Sequence, residues 1–243
     1  MLLEVIACTL DDALAAEDGG ATRLEVVAHL DRDGLTPPIE LVESIITRVS
    51  IPVRVMIRPR DAFEVTDRTE IHHMRDTIRS FAQFPIDGLV LGYVHKGRVD
   101  KRTVEVLCTA APKARVTFHR AIDTCADAIV ALKSLQQLGR VDCVLMSGGA
   151  GTWPERADRL GLMQTVAPEM TVLVGGGVDE AAIHFLCSHT QLRAFHAGRA
   201  AREPHHVDGH VSENAVATLR AAMDLHFRAT SIESRASVDV SPE

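Results

Sequence analysis

Eight short runs along the chain place apolar, often β-branched residues at alternating or near-continuous positions. They are LLEVIA (2–7), RLEVVA (23–28), VRVMIR (53–58), GLVLGY (88–93), RVTFH (115–119), DCVLMS (142–147), TVLVG (171–175) and RAFHA (193–197). Alternation with a period of two is the pattern of a strand whose faces meet different surroundings. Between the runs the period changes to that of a helix. In 67–83, Ile71, Met74, Ile78 and Phe81 recur at helical spacing, and 152–167 opens with Thr152 and Glu155 in a capping-box arrangement. Strand and helix alternate throughout, which predicts right-handed crossovers and a parallel sheet. Eight such units in 243 residues match the size of a (β/α)8 barrel.

An open doubly wound sheet is the alternative. A dinucleotide-binding version would need a G-x-G-x-x-G turn after the first strand, whereas the chain there reads Cys8, Thr9, Leu10, Asp11, Asp12. The barrel is therefore the expected architecture, a single domain over residues 1–227. From residue 228 the sequence RATSIESRASVDVSPE is polar and aperiodic and reads as a loose tail.

Strand parity then sorts side chains between the lumen and the helix layer. With Val53, Val55 and Ile57 facing helices, Arg54, Met56 and Arg58 face inward. The same rule turns Glu4 and Glu25 into the lumen, and it places His119 beside Thr117 and His196 beside Ala194. A barrel interior is normally packed with branched apolar residues, and an unpaired buried charge costs several kcal/mol. So Glu4, Glu25, Arg58, His119 and His196 must pair with one another, bind a ligand, or both. An internal salt-bridge network that only fills the lumen is the bland alternative. Position favours function: Arg58 and Arg60 end the third strand, His119, Arg120 and Asp123 the fifth, and Ser147 the sixth, on the rim that carries chemistry in barrels.

Glycine-rich turns follow strands six, seven and eight: SGGAG (147–151), GGG (175–177) and HAGR (196–199). Ser147, Gly148, Gly149, Gly176, Gly177 and Arg199, with Arg60, form the expected anion-binding set, because glycines let backbone N–H groups converge on an oxyanion. Asp11 and Asp12 suit the start of the first helix, His72 and His73 a helix surface, and His205, His206 and His210 a polar loop.

Composition narrows the function classes. A net charge of −7, a pI near 5.9 and only 4% aromatic residues offer no platform for nucleic acid. No stretch approaches the roughly 18 apolar residues of a membrane span, and the start carries no basic leader, so the expectation is a cytoplasmic protein without a membrane partner. Cys8, Cys108, Cys125, Cys143 and Cys187 are odd in number and lack any Cys-x-x-Cys, which suits reduced thiols.

LLEV, GLTPP (34–38), IRPR (57–60), TFHRAID (117–123), MSGG (146–149), GGGV (175–178) and FHAG (195–198), in this order, resemble the CutC family across residues 2–200. The resemblance implies a (β/α)8 barrel, a cytoplasmic location, copper as bound metal, a role in copper homeostasis, and a homodimer or higher oligomer. It brings in Cys8 and Cys125 as metal candidates. The chain departs from the family pattern at Ile6, where a cysteine is common, and at Asp61 and Ala62, where glycines are usual. Two functions follow. One is copper handling. The other is an enzyme acting on a small anionic, phosphorylated or sugar-like substrate, with Glu4, Glu25, His119 and His196 as acid–base groups, Arg58 as an anion clamp, and Arg120 and Asp123 in support.

Overall fold

In a computed structural model that describes residues 1–236, and side chains through residue 226, eight parallel strands close into one ring. They are β1 (Leu2–Ala7), β2 (Arg23–Val26), β3 (Val53–Met56), β4 (Gly88–Leu91), β5 (Arg115–Phe118), β6 (Cys143–Met146), β7 (Thr171–Val174) and β8 (Ala194–Ala197). Each pairs with its sequence neighbours, and β1 closes the ring against β8, so the expected (β/α)8 barrel is the fold. Eight helices cover it: α1 (Leu10–Asp18), α2 (Ile39–Ile46), α3 (Arg68–Phe81), α4 (Lys101–Cys108), α5 (Ala128–Leu138), α6 (Trp153–Val166), α7 (Glu180–His189) and α8 (Glu213–Ala236). The boundary expected at residue 228 falls inside α8, and residues 237–243 lie outside the described residues.

Local chemistry accounts for the helix ends. Asp67, Asp127 and Asp179 each accept a hydrogen bond from the backbone N–H three residues on, opening α3, α5 and α7. Thr152 and Glu155 form the predicted box at α6. The inward stripe of α3 is Met74, Ile78 and Phe81, all buried. Strand residues such as Leu3, Val5, Leu24, Val26, Val55, Leu89, Val116 and Phe118 join these stripes in one large apolar layer between ring and helices. Each fully buried Leu or Val there stabilises the fold by about 1.5–3 kcal/mol.

Inside the ring, apolar residues split into two separate groups. Ile6, Val27, Met56 and Val90 form one; Cys143, Leu145, Leu173 and Ala194 form the other. Polar side chains hold the space between them. Register explains how: Glu4 of β1 lies level with His196 of β8 and with Arg23 of β2, and Glu25 lies level with Arg54 of β3.

The barrel floor is built by two arginines. Arg54, 1% exposed, donates through Nε to Asp87 at 2.8 Å, through Nη1 to Thr117 at 2.7 Å and through Nη2 to Asp142 at 2.6 Å. Asp87 and Asp142 sit just before β4 and β6, so one guanidinium from β3 ties the N-terminal ends of these two strands together and holds β5 between them. Arg23 donates to Glu4 at 2.5 Å and approaches the Cys143 sulfur at 3.5 Å.

Candidate acid–base site at the barrel mouth

A cavity of about 300 Å³ opens at the C-terminal ends of the strands. Its lining includes Glu25, Arg58, His119, Arg120, Asp123, Gly176, Gly177, His196 and Arg199, so nine of the residues expected from the sequence meet in one place. Ile6, Val27, Met56, Leu145 and Phe63 give it an apolar lining.

The acidic side is a chain of three buried groups. Glu4 Oε1 lies 2.8 Å from His196 Nδ1, and His196 Nε2 lies 3.6 Å from Glu25 Oε2. Burial alone would raise the Glu4 carboxyl, but the Arg23 guanidinium and His196 outweigh it and hold it down at about 2. Burial dominates at Glu25, which has no arginine partner; with the Glu4 charge nearby its carboxyl is pushed up to about 7, although His196 pulls the other way. His196 is lowered by burial but raised by more through Glu25 and Glu4, so its protonated form is favoured. Glu25, at the cavity, is thus the carboxyl held near neutrality, while Glu4 behind it stays ionised between Arg23 and His196.

His119 faces the opposite conditions. Burial first, then the charge of Arg58, depresses it to about 3, so the ring is neutral. Its Nδ1 accepts the Ala121 N–H at 3.2 Å, which leaves the proton on Nε2. Gly92 lies beneath the ring: a Cβ there would come within 2.5 Å of Nδ1. Phe63 packs at 5.2 Å between ring centroids, and the same ring carries the Arg58 guanidinium 4.9 Å from its centre. Arg58 is held by the carbonyls of Arg32 and Gly34, at 2.8 and 3.0 Å, and by Asp61. Asp61, which departs from the family's glycine, is therefore the counter-charge of Arg58.

Among the described residues, five buried side-chain nitrogen or oxygen atoms lack a hydrogen-bond partner: Glu25 Oε1, Arg58 Nε, Arg75 Nε, His119 Nε2 and Arg202 Nε. Three of the five belong to residues lining this cavity. Orphaned buried polar atoms are costly and rare.

Other expected site residues are placed elsewhere. Arg60, expected at the rim from its place at the end of the third strand, turns away to Glu70 of α3 at 2.7 Å. Ser147, Gly148 and Gly149 do not line the cavity. Ser147 N–H donates to Asp123 at 3.1 Å and its Oγ accepts from Gly149 N–H at 3.0 Å, while Arg159 binds the Gly148 carbonyl. Gly148 and Gly149 serve the chain path, with φ of 77° and 82°. Asp123 also pairs with Arg120 at 3.1 Å, linking the loops after β5 and β6. Asp12 is more than a helix-dipole residue: it is buried, accepts the N–H groups of Cys8 and Val211, both at 2.9 Å, and pairs with Arg202.

The sequence reading missed Arg23, Arg156 and Phe63. Arg156, on the first turn of α6, donates to the carbonyls of Ser147 (2.6 Å), Gly175 (2.9 Å) and Gly176 (3.0 Å), clamping the loops after β6 and β7 together. Arg23 had a usable signal, since it shares strand parity with Glu25; the other two lie outside strands and carry none.

The cysteines do not fit a copper seat. Cys8 follows β1 and Cys125 follows β5, four places apart around the eight-stranded ring, and neither lines the cavity. Burial pushes the Cys8 thiol up to about 11, and burial with Asp123 nearby raises Cys125. The one group of potential metal ligands found close together among the described residues is Glu4, Glu25 and His196. No helix among the described residues is long and apolar enough to cross a membrane.

Fold and site together define a (β/α)8 barrel with a buried cluster of ionisable groups beneath a cavity at the C-terminal ends of its strands. The chain matches the CutC family over residues 1–201 and belongs to it. Relatives include a CutC family protein of Xanthomonas axonopodis, 39% identical over 199 residues that span 81% of this chain and 82% of the relative. Another, from Pasteurella multocida, is 31% identical across 88% and 90% of the two chains. The solved structure of CutC from Streptococcus agalactiae superposes with a TM-score of 0.75 at 26% identity, covering 82% of this chain and 98% of that one.

Proposed function

We propose that this CutC family member is an enzyme that binds a small anionic substrate at the barrel mouth and acts on it by acid–base chemistry. The observation that carries the reading is the convergence of three unpartnered buried atoms, Glu25 Oε1, Arg58 Nε and His119 Nε2, in residues lining one cavity. Two are N–H donors and one is a carboxyl oxygen, which matches a ligand with an oxygen acceptor at one place and a transferable proton at another.

Copper handling, which the name of the Streptococcus agalactiae relative proposes, is the second reading. What favours it is the Glu4, Glu25, His196 cluster, whose oxygen and imidazole donors suit a divalent ion better than Cu(I).

Two measurements separate the readings. Equilibrium dialysis of the full chain against a defined mixture of organic phosphates, hydroxy acids and keto acids, read by mass spectrometry, is expected to retain at least one compound, and His119→Ala to release it. Retention of none at millimolar concentration, or equal retention by the variant, would overturn the enzyme reading. Titration with Cu(I) is expected to give weak binding indifferent to Cys8→Ser and Cys125→Ser; tight stoichiometric binding lost in those variants would establish a thiolate copper site instead.

A further inference from the structure

The chemistry of the donors narrows the reaction, given the anion-binding enzyme reading on which this step rests. Neither deep donor is a free cation. His119 is a neutral ring with its proton on Nε2, and the Arg58 charge is already matched by Asp61 at Nη2, with Nη1 committed to the Arg32 and Gly34 carbonyls and Nε–H unpartnered. Such a pair is poorly matched to a phosphate dianion or a carboxylate, which draw formal positive charge. It suits a carbonyl oxygen that becomes negative only as reaction proceeds: fixed N–H donors, shielded from bulk solvent, stabilise charge that develops between them. Full positive charge lies farther out. Arg199, exposed beside Gly176 and Gly177, lines the same cavity and has no ion pair or hydrogen bond among the described residues. Gly177 has φ of 90° and open space where a Cβ would stand, so the rim has room for an oxyanion beside that guanidinium. Glu25, inside β2 and level with Arg54, stands deeper than both donors, with Oε1 unpartnered.

The geometry points to proton transfer at a carbon next to a carbonyl group, in a small molecule that carries an anionic group at its other end. Glu25 Oε1 takes the proton from that carbon, and the C–H electron pair becomes the second bond of a C=C. The carbonyl π pair moves onto oxygen, where the Nε2–H of His119 and the Nε–H of Arg58 receive it. Glu25 then returns the proton to the former carbonyl carbon, while the hydroxyl on the neighbouring carbon gives its own proton to the oxygen, so that carbonyl and hydroxyl exchange places. No oxidant, reductant or second substrate is consumed. His196, fixed by Glu4, sits behind Glu25 as a positioning residue that keeps the carboxyl oriented.

The test is calorimetric titration of the full chain with two stable mimics of such an enolate, phosphoglycolohydroxamate for a phosphate tail and oxalate for a carboxylate tail, and with inorganic phosphate. At least one mimic is expected to bind about 100-fold more tightly than phosphate, the lower end of the advantage of transition-state mimics over ground-state ligands. His119→Ala, shown to be folded by its thermal transition, is expected to abolish that advantage, and His119→Gln, which keeps an N–H donor, to restore part of it. Arg199→Ala should weaken mimic and phosphate alike. Binding of phosphate or of a dialysis-retained metabolite without either mimic would overturn the enolate assignment and leave the anion-binding reading standing. Failure of every ligand would remove both.

Discussion

Replacing Glu25 by glutamine should make this protein more stable and less useful. The carboxyl is 2% exposed and held at about 7, against an ordinary value of 4.5. Below pH 4.5 it is neutral in folded and unfolded chains alike, and burying it carries no ionisation penalty. Between 4.5 and 7 the unfolded chain ionises while the folded one resists, so stability falls as pH rises through this window; above 7 the full penalty is present. At about 1.4 kcal/mol for each unit of displacement, that penalty is on the order of 3 kcal/mol. Glutamine has nearly the same shape and never ionises, so it removes the penalty. His196 loses an attraction in exchange, which leaves a net gain of about 2–3 kcal/mol at pH 8. For a chain of this size that corresponds to a rise of roughly 4–12 °C in Tm. The assay is urea unfolding at pH 5 and pH 8, followed by fluorescence of Trp153, the single tryptophan, with far-ultraviolet circular dichroism as a second probe. Glu25→Gln should exceed wild type by the stated margin at pH 8 and by much less at pH 5, with the ligand retained by dialysis bound more weakly. Equal stabilities at pH 8, or a difference that does not change between the two pH values, would refute the account of Glu25 as a carboxyl burdened by burial.

Gly92→Ala would drive a methyl group to within 2.5 Å of His119 Nδ1; the ring must move, with an expected cost of about 1–3 kcal/mol in stability and loss of ligand retention in the dialysis assay. Arg54→Met leaves Asp87 and Asp142 without their shared cation and Thr117 without its donor, and should destabilise by about 3–5 kcal/mol in the same urea experiment.

Much of this architecture was readable from the chain because barrels repeat one simple unit. Alternation in VRVMIR and RVTFH turned Arg54, Arg58 and His119 inward, and the ring places them there. Parity holds as long as the backbone stays extended. Position at a strand end was a weaker guide: Arg58 and Arg60 both lie in the loop after Met56, yet Arg58 lines the cavity while Arg60 pairs with Glu70. Partnership was less legible than direction. Glu4 and Glu25 look equivalent in sequence, yet Glu4 gains an ion pair with Arg23 and a hydrogen bond with His196 while Glu25 has neither, and their carboxyls stand at about 2 and about 7. The glycines of 147–151 read as an anion cradle because their carbonyl partners, Arg156 and Arg159, come from the following helix, and nothing local announces that a helix side chain will fold back over the preceding loop.

The arginine floor has a further consequence, for traffic. With Arg54 bolted across the N-terminal ends of β4 and β6, the barrel is a cup and not a tube, and whatever enters by the mouth must leave by the mouth. Only one end of a molecule can be inspected and worked on, because only one end can go in first. Whatever trails behind it stays at the lip, where size matters little, so a family of long and short molecules sharing a common head could be served by the same doorway, strictly one at a time.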